Sequence, residues 1–292
     1  MKLFNDSFKI SISLFFLFLP GMIRDAGAVE TVSNGTAIFK TNDNIGSSVP
    51  GWNTGWGGGV DGWNYVGAVS DASGVYLGNN WVLTAAHVIN PVSFTLGGNV
   101  YNATGLAYTD FTNSLTGTTN ADLHLFQISN SSTTGTNISL TGLTLASSAP
   151  NSGQTVVMIG YGGSNGQGPE SWGTNSVYGI NQYPISVNGY ESIDFTTINL
   201  GQNYATVVLG DSGGGDFIKV GTNWVLAGIN EAVVTYGTNS GAPTGSAFVQ
   251  LSSYNGQIAS IVNSVPEPST WGLAAMGLIG IGFILFRRSI AR

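Results

Sequence analysis

The chain has 292 residues, of which 8 are Lys or Arg and 15 are Asp or Glu, so charged residues make up 8% against about 25% in ordinary soluble domains. Glycine fills 43 positions while aromatic residues hold 11% with no Gly-X-Y period, which excludes a collagen-like fibre and a charged disordered chain. Cysteine is absent and only two histidines occur, His87 and His124, which excludes disulfide scaffolds, thiol nucleophiles and cysteine-bound zinc; no metal or cofactor is expected.

Lys2 and Lys9 precede the apolar run Ile10 to Pro20, and Ala26-Gly27-Ala28 follows with the small-x-small pattern that signal peptidase needs. The run is about eleven residues long, where a bilayer span takes about twenty. Residues 1–28 are therefore expected to be a secretory signal peptide, cut after Ala28 by signal peptidase.

Between Val29 and Ser264 the only cations are Lys40 and Lys219, against twelve Asp and Glu, a formal charge of −10. Such a surface repels phosphate backbones, so no nucleic-acid partner is expected. Surface salt bridges should be almost absent as well. Solubility rests instead on Ser, Thr, Asn and Gly.

Short β-branched or aromatic runs recur through this body: Thr155 to Gly160, Tyr204 to Leu209, Trp224 to Ile229 and Ala247 to Leu251. Turn residues punctuate them, with Asn-Gly at 34–35, 188–189 and 255–256 and Gly-Gly at 97–98 and 162–163. No stretch keeps a 3.6-residue period long enough for a major helix, which predicts an all-β barrel or sandwich. The Gly/Trp-rich segment Gly51 to Gly62 reads as an irregular loop whose tryptophans pack on the adjacent sheet rather than stack on sugars.

Two motifs carry chemistry. Gly74 to Val88 (GVYLGNNWVLTAAHV) reads as strand, Gly-Asn-Asn turn, strand, and then small alanines that let the backbone turn and present His87 at a strand end. Gly210-Asp211-Ser212-Gly213-Gly214-Gly215 surrounds Ser212 with glycines, so the main chain can fold sharply, expose the hydroxyl and converge N–H groups beside it.

These two motifs, in this order, resemble the TAAH and GDSGG signatures of the trypsin/chymotrypsin-like serine proteases. Asn120-Ala121-Asp122-Leu123-His124-Leu125 looks like the family's aspartate segment, and Ile159-Gly160-Tyr161-Gly162 like its Gly-aromatic-Gly strand end. The likeness covers about Tyr65 to Ile261, and the chain order His, Asp, Ser agrees with it. It implies two six-stranded antiparallel β-barrels with the site in the cleft, the barrels meeting near Ser147 to Ser152.

The resemblance implies a catalytic triad of His87, Asp122 and Ser212. A hydroxyl is too weakly acidic to attack a peptide unaided, whereas an imidazole can take its proton near neutrality and return it to the leaving amine. Asp122 would orient the imidazole and stabilise the imidazolium. The N–H groups of Gly210 and Ser212 would form the oxyanion hole, where losing one donor costs about 3 kcal/mol of barrier. Asp110 is the rival aspartate, and His124 is expected to be a packed, non-catalytic histidine. Thr206, six before Ser212, would lie at the base of the specificity pocket and Glu231 near its wall.

The departures are specific. Val88 and Val208 stand near the places where the family carries cysteines, and Gly215 replaces its proline. No Ile-Val-Gly-Gly marks a mature N-terminus, so the family's zymogen switch, in which a freed amine pairs with the aspartate before the serine, has no visible donor for Asp211. Other hydrogen bonds would have to hold that carboxylate.

At the C-terminus Val265-Pro266-Glu267-Pro268 leads into sixteen uncharged residues, Trp271 to Phe286, closed by Arg287, Arg288 and Arg292. Proline-Glu-Pro, apolar helix and basic end in this order resemble the PEP-CTERM sorting signal of Gram-negative bacteria. The expected organisation is thus signal peptide 1–28, protease domain 29–264 and sorting signal 265–292. The arginines would stay cytoplasmic during transient inner-membrane insertion, before an exosortase trims the tail and the protein reaches the periplasm, cell surface or matrix. The leading expectation is an exported serine endopeptidase acting on protein or peptide substrates through an acyl-enzyme. Its rivals are a catalytically silent protease-like surface or matrix binding protein and an esterase using the same triad.

Overall fold

The computed structural model describes residues 29–264 apart from 34–35, 58, 89, 114, 116, 163–167, 202–203 and 238–243. The expected signal peptide 1–28 and sorting signal 265–292 lie outside the described residues.

Among the described residues fifteen strands run in chain order: β1 (Glu30–Ser33), β2 (Thr36–Phe39), β3 (Val66–Val69), β4 (Ala72–Gly78), β5 (Trp81–Thr84), β6 (Ser93–Leu96), β7 (Asn99–Tyr108), β8 (His124–Ser131), β9 (Thr155–Gly160), β10 (Ser171–Val187), β11 (Tyr190–Thr197), β12 (Ala205–Thr206), β13 (Gly215–Val220), β14 (Asn223–Thr235) and β15 (Thr244–Gln250). Strands β3-β4-β5-β8-β7-β6 close one six-stranded antiparallel barrel and β10-β11-β15-β14-β13-β9 close a second; β12-β1-β2 form a small third sheet. The all-β, two-barrel architecture is the one expected.

Turn chemistry fixes several hairpins. Asn79 and Asn80 between β4 and β5, Gly97 and Gly98 between β6 and β7, and Asn188 and Gly189 between β10 and β11 all take positive φ. That is the pair of left-handed residues that a two-residue hairpin turn requires. Closure then buries both faces of the central strands. In β9, Val157 and Ile159 join the core that continues into the first barrel, while Val156 and Met158 join a separate core inside the second. A strand covered on both faces loses its polar alternation, which is why β9 reads as an uninterrupted apolar run.

With no disulfide, packing holds the barrels together, each fully buried large side chain contributing about 2 kcal/mol. The Gly/Trp-rich loop contributes to this packing as expected. Trp52 is fully buried, with its ring edge-on to Trp56 at 4.8 Å and to Trp224 at 4.7 Å.

Three expectations change. The run Tyr204 to Leu209 is strand only at Ala205–Thr206, because the next two N–H groups go to side chains, Val207 to Ser246 Oγ and Val208 to Asp211 Oδ2. Asn255-Gly256 is not a turn but opens the helix α1 (Asn255–Val262), which Ile258 and Val262 anchor by burial one turn apart. The chain also reaches the second barrel earlier than Ser147, since Leu145 bridges Leu226 and Ala146 N–H donates to the Leu226 carbonyl.

Candidate active site

The end of β5 presents the histidine. Thr84 Oγ1 donates to the Ser73 carbonyl at 2.7 Å, and Val88 N–H closes a turn on the Ala85 carbonyl at 3.1 Å, so the chain leaves the sheet between them. Asp122 stands just before β8, whose first residue His124 pairs with Thr84 across the ladder. This brings together residues that are 35 positions apart in sequence: His87 N–H donates to Asp122 Oδ1 at 2.8 Å, and His87 Nδ1 lies 2.5 Å from Oδ2. On the other side of the ring, Nε2 is 2.7 Å from Ser212 Oγ, on the second barrel. Asp122 is fully buried and the His87 side chain 15% exposed. Asp110, the rival, is exposed and accepts from Asn120 Nδ2 at 3.0 Å instead. His124 packs edge-on to Phe126 at 5.9 Å, and burial pushes its imidazole below the usual range.

The serine loop is pinned at almost every peptide. Ser73 N–H donates to the Ser212 carbonyl at 2.9 Å and Ser73 Oγ to the Gly210 carbonyl at 3.1 Å. Gly213 N–H donates to the Asn230 carbonyl at 2.9 Å and Gly214 N–H to the Asp211 carbonyl at 2.8 Å. Gly210 takes φ +89°, a conformation L side chains avoid. Among the described residues the N–H groups of Gly210 and Ser212 have no protein acceptor.

Asp211 is buried and accepts three backbone N–H groups: Val208 at 2.7 Å, Val29 at 3.0 Å and Gly162 at 3.0 Å. Burial pushes its carboxyl up to about 6, against the pull of those three donors. Any Cβ at Gly160 or Gly162 would collide with this carboxylate, which gives the Gly160-Tyr161-Gly162 motif its physical reason. The Val29 nitrogen is the donor that the sequence did not reveal. It is delivered by β1, whose Glu30 and Thr31 pair with Thr206 and Ala205 of β12, just before the serine loop.

Thr206 is half-buried on β12, with Asn199 Nδ2 donating to its Oγ1 at 3.4 Å. Glu231 is not on an open pocket wall: it is 4% exposed, and its Oε1 accepts from Ser192 Oγ at 2.9 Å. The ladder of β14 with β15 slips between Asn230 and Ala232, so Glu231 is the extra residue of a bulge and turns inward. Simple strand alternation cannot foresee that. Ser73, Ser192 and Asn230, which hold the site's main chain, carry no sequence signal beyond being polar residues within apolar strands.

Residues 59–258 match the family model described as Trypsin, and residues 264–289 match the PEP-CTERM protein-sorting motif. The chain belongs to the trypsin family. This trypsin-family protein is a serine-type endopeptidase, and its sorting motif implies export toward the cell surface. Among solved structures it is similar to neuropsin, a serine protease of mouse brain, at 18% identity and TM-score 0.49, covering 69% of this chain and 95% of that one. It is also similar to the Rv3671c protease of M. tuberculosis H37Rv in its inactive form, at 16% identity and TM-score 0.49, covering 77% and 95%. A third is an inactivated protease paralogue of the scabies mite, at 16% identity and TM-score 0.46, covering 72% and 99%. No curated protein matches the chain.

Proposed function

We propose that this endopeptidase hydrolyses peptide bonds through Ser212, His87 and Asp122 with an acyl-enzyme intermediate. The observation that carries the reading is one unbroken hydrogen-bond line, Asp122 to His87 at 2.5 Å and His87 to Ser212 at 2.7 Å. His87 Nε2 takes the Ser212 proton as Oγ attacks the scissile carbonyl, then gives it to the leaving amine. Water repeats the sequence on the acyl-enzyme. Asp122, held by two bonds to His87, fixes the ring with Nδ1–H toward the carboxylate and Nε2 toward the serine. The free N–H groups of Gly210 and Ser212 receive the oxyanion. By the family resemblance Thr206, six residues before Ser212, would form the base of the substrate pocket.

Activation follows from the chain start. Cleavage after Ala28 makes the Val29 nitrogen an α-ammonium, largely charged at pH 7, already 3.0 Å from the Asp211 carboxylate. Val29 also sits at φ +38°, which a β-branched residue resists and which losing the preceding peptide bond relieves. Signal-peptide removal would then set the serine loop and complete the enzyme in one cut. The C-terminal signal supports transient anchoring in the inner membrane before an exosortase trims it; among the described residues no helix is long and apolar enough to cross a membrane.

The test is fluorophosphonate labelling and casein hydrolysis by the secreted protein beside Ser212→Ala and His87→Ala. The wild type should label and cleave, and each variant should lose about 10⁴-fold or more in kcat. A wild type as silent as its variants would make the chain a binding protein with a protease fold.

A further inference from the structure

Following the hydrogen bonds from Asp122 away from His87 leads into a second set of acids. Asp122 N–H donates to Ser192 Oγ at 2.9 Å, and Ser192 Oγ–H donates to Glu231 Oε1 at 2.9 Å. Ser192 and Asp194 lie on β11 and Glu231 on β14, and all three are buried. The carboxyl groups of Glu231 and Asp194 lie close enough to influence one another's charge. Yet Glu231 Oε2 meets no O–H or N–H donor among the described residues, and the Asp194 carboxyl has the backbone N–H of Ile185 beside it rather than a side-chain donor. Among the described residues no lysine or arginine compensates, since Lys40 and Lys219 lie over the rings of Trp172 and Trp224. The other titratable groups facing the pair are Asp122 and Tyr254, whose hydroxyl accepts from Ile193 N–H and from Asn113 Nδ2 at 2.9 Å each.

Two carboxylates have nothing to bond with; two carboxyl groups sharing a proton do. Oε1 already accepts from Ser192, so the proton belongs on Oε2, donated to Asp194. We propose that Glu231 is a positioning residue of the active site that works as a neutral acid, fixing the Asp122 main chain through Ser192 while its shared proton keeps a further charge from forming beside Asp122. Burial, then the charges of Asp194 and Asp122, push the Glu231 carboxyl well above the usual range. This inference rests on the triad reading of His87, Asp122 and Ser212.

Two measurements on the mature protein test it. Glu231→Gln keeps an acceptor for Ser192 and supplies an N–H to Asp194, so kcat should stay within about threefold with KM unchanged. Glu231→Ala and Ser192→Ala should lower kcat by about 10- to 100-fold, the scale of a small misplacement of a catalytic group, again without moving KM. A Gln variant that raises KM at constant kcat, or one as impaired as the Ala variant, overturns the proposal while the wild type still labels with fluorophosphonate. A wild type that does not label overturns the triad and this inference with it. Infrared spectra at pH 7 of protein carrying ¹³C-glutamate in a Glu170→Gln background should show a protonated carboxyl band that a further Glu231→Gln removes. Its absence in the Glu170→Gln protein overturns the proposal however the other variants fold.

Discussion

Gly213 shows how closely single residues are constrained beside Ser212, the proposed nucleophile. It sits at φ +83°, and a Cβ there would run into Thr84 Oγ1, the Ser73 carbonyl and Ala85 N of the first barrel. Gly221 has a similar φ of +61° with nothing near its missing Cβ. Gly221→Ala should therefore cost only backbone strain, about 1 kcal/mol, and leave kcat alone. Gly213→Ala should cost about 3 kcal/mol or more and lower kcat/KM steeply, because it forces Ser212 away from His87. Thermal melts and kinetics of the two variants, compared directly, check this; equal effects would mean the contact is unimportant. At this scale the proposed reactive residues were readable, since His87 and Ser212 need small neighbours to be presented at all. Glu231 was not, because a bulge decides which way it points.

Among the elements, the four-residue strand β1 has an influence out of proportion to its length. By pairing with β12 it carries the Val29 nitrogen to Asp211, while Gly173 on β10 leaves the space that Val29 and Ala205 fill. A chain beginning at Val29 should be fully active. One carrying an extra residue before Val29 should fall by about tenfold or more in kcat/KM, since a neutral amide replaces a charge-assisted bond to a buried carboxylate. Measuring both forms with the same peptide substrate, after confirming their N-termini by mass spectrometry, decides the matter; equal activity would remove the activation role. The hairpins were legible from Asn-Asn, Gly-Gly and Asn-Gly pairs because positive φ selects those residues. The pairing of β1 with β12, some 175 residues apart in sequence, had no local signal.

For the molecule as a whole, the formal charge of −10 overstates the charge of the folded body. Asp122, Asp194, Asp211, Asp216 and Glu231 are all buried, and among the described residues no carboxylate forms a salt bridge with a lysine or arginine. Burial pushes Glu170 up to about 8 and Asp216 well above the usual range, and the buried Asp194–Glu231 pair holds one proton between its two carboxyl groups. Each keeps its proton in the folded state at pH values where the unfolded chain, with carboxyls near 4, has lost it. Folding therefore takes up protons, and stability falls as pH rises from about 4 to about 8, by roughly 1 kcal/mol per pH unit for each such group. Melting temperature should decline steadily from pH 5 to pH 8. A melting temperature that rises over that interval would show these acids ionised in the folded protein.

The sequence by itself determined the strand-rich class and several short turns and singled out His87, Asp122 and Ser212 as candidates, because backbone conformation and side-chain chemistry are written in local residue types. The tertiary structure alone decided which acids are buried together, which way Glu231 faces and that the Val29 nitrogen meets Asp211. Those depend on barrel closure and strand register, which bring distant positions within 3 Å and strip away the water that would otherwise ionise their carboxyl groups.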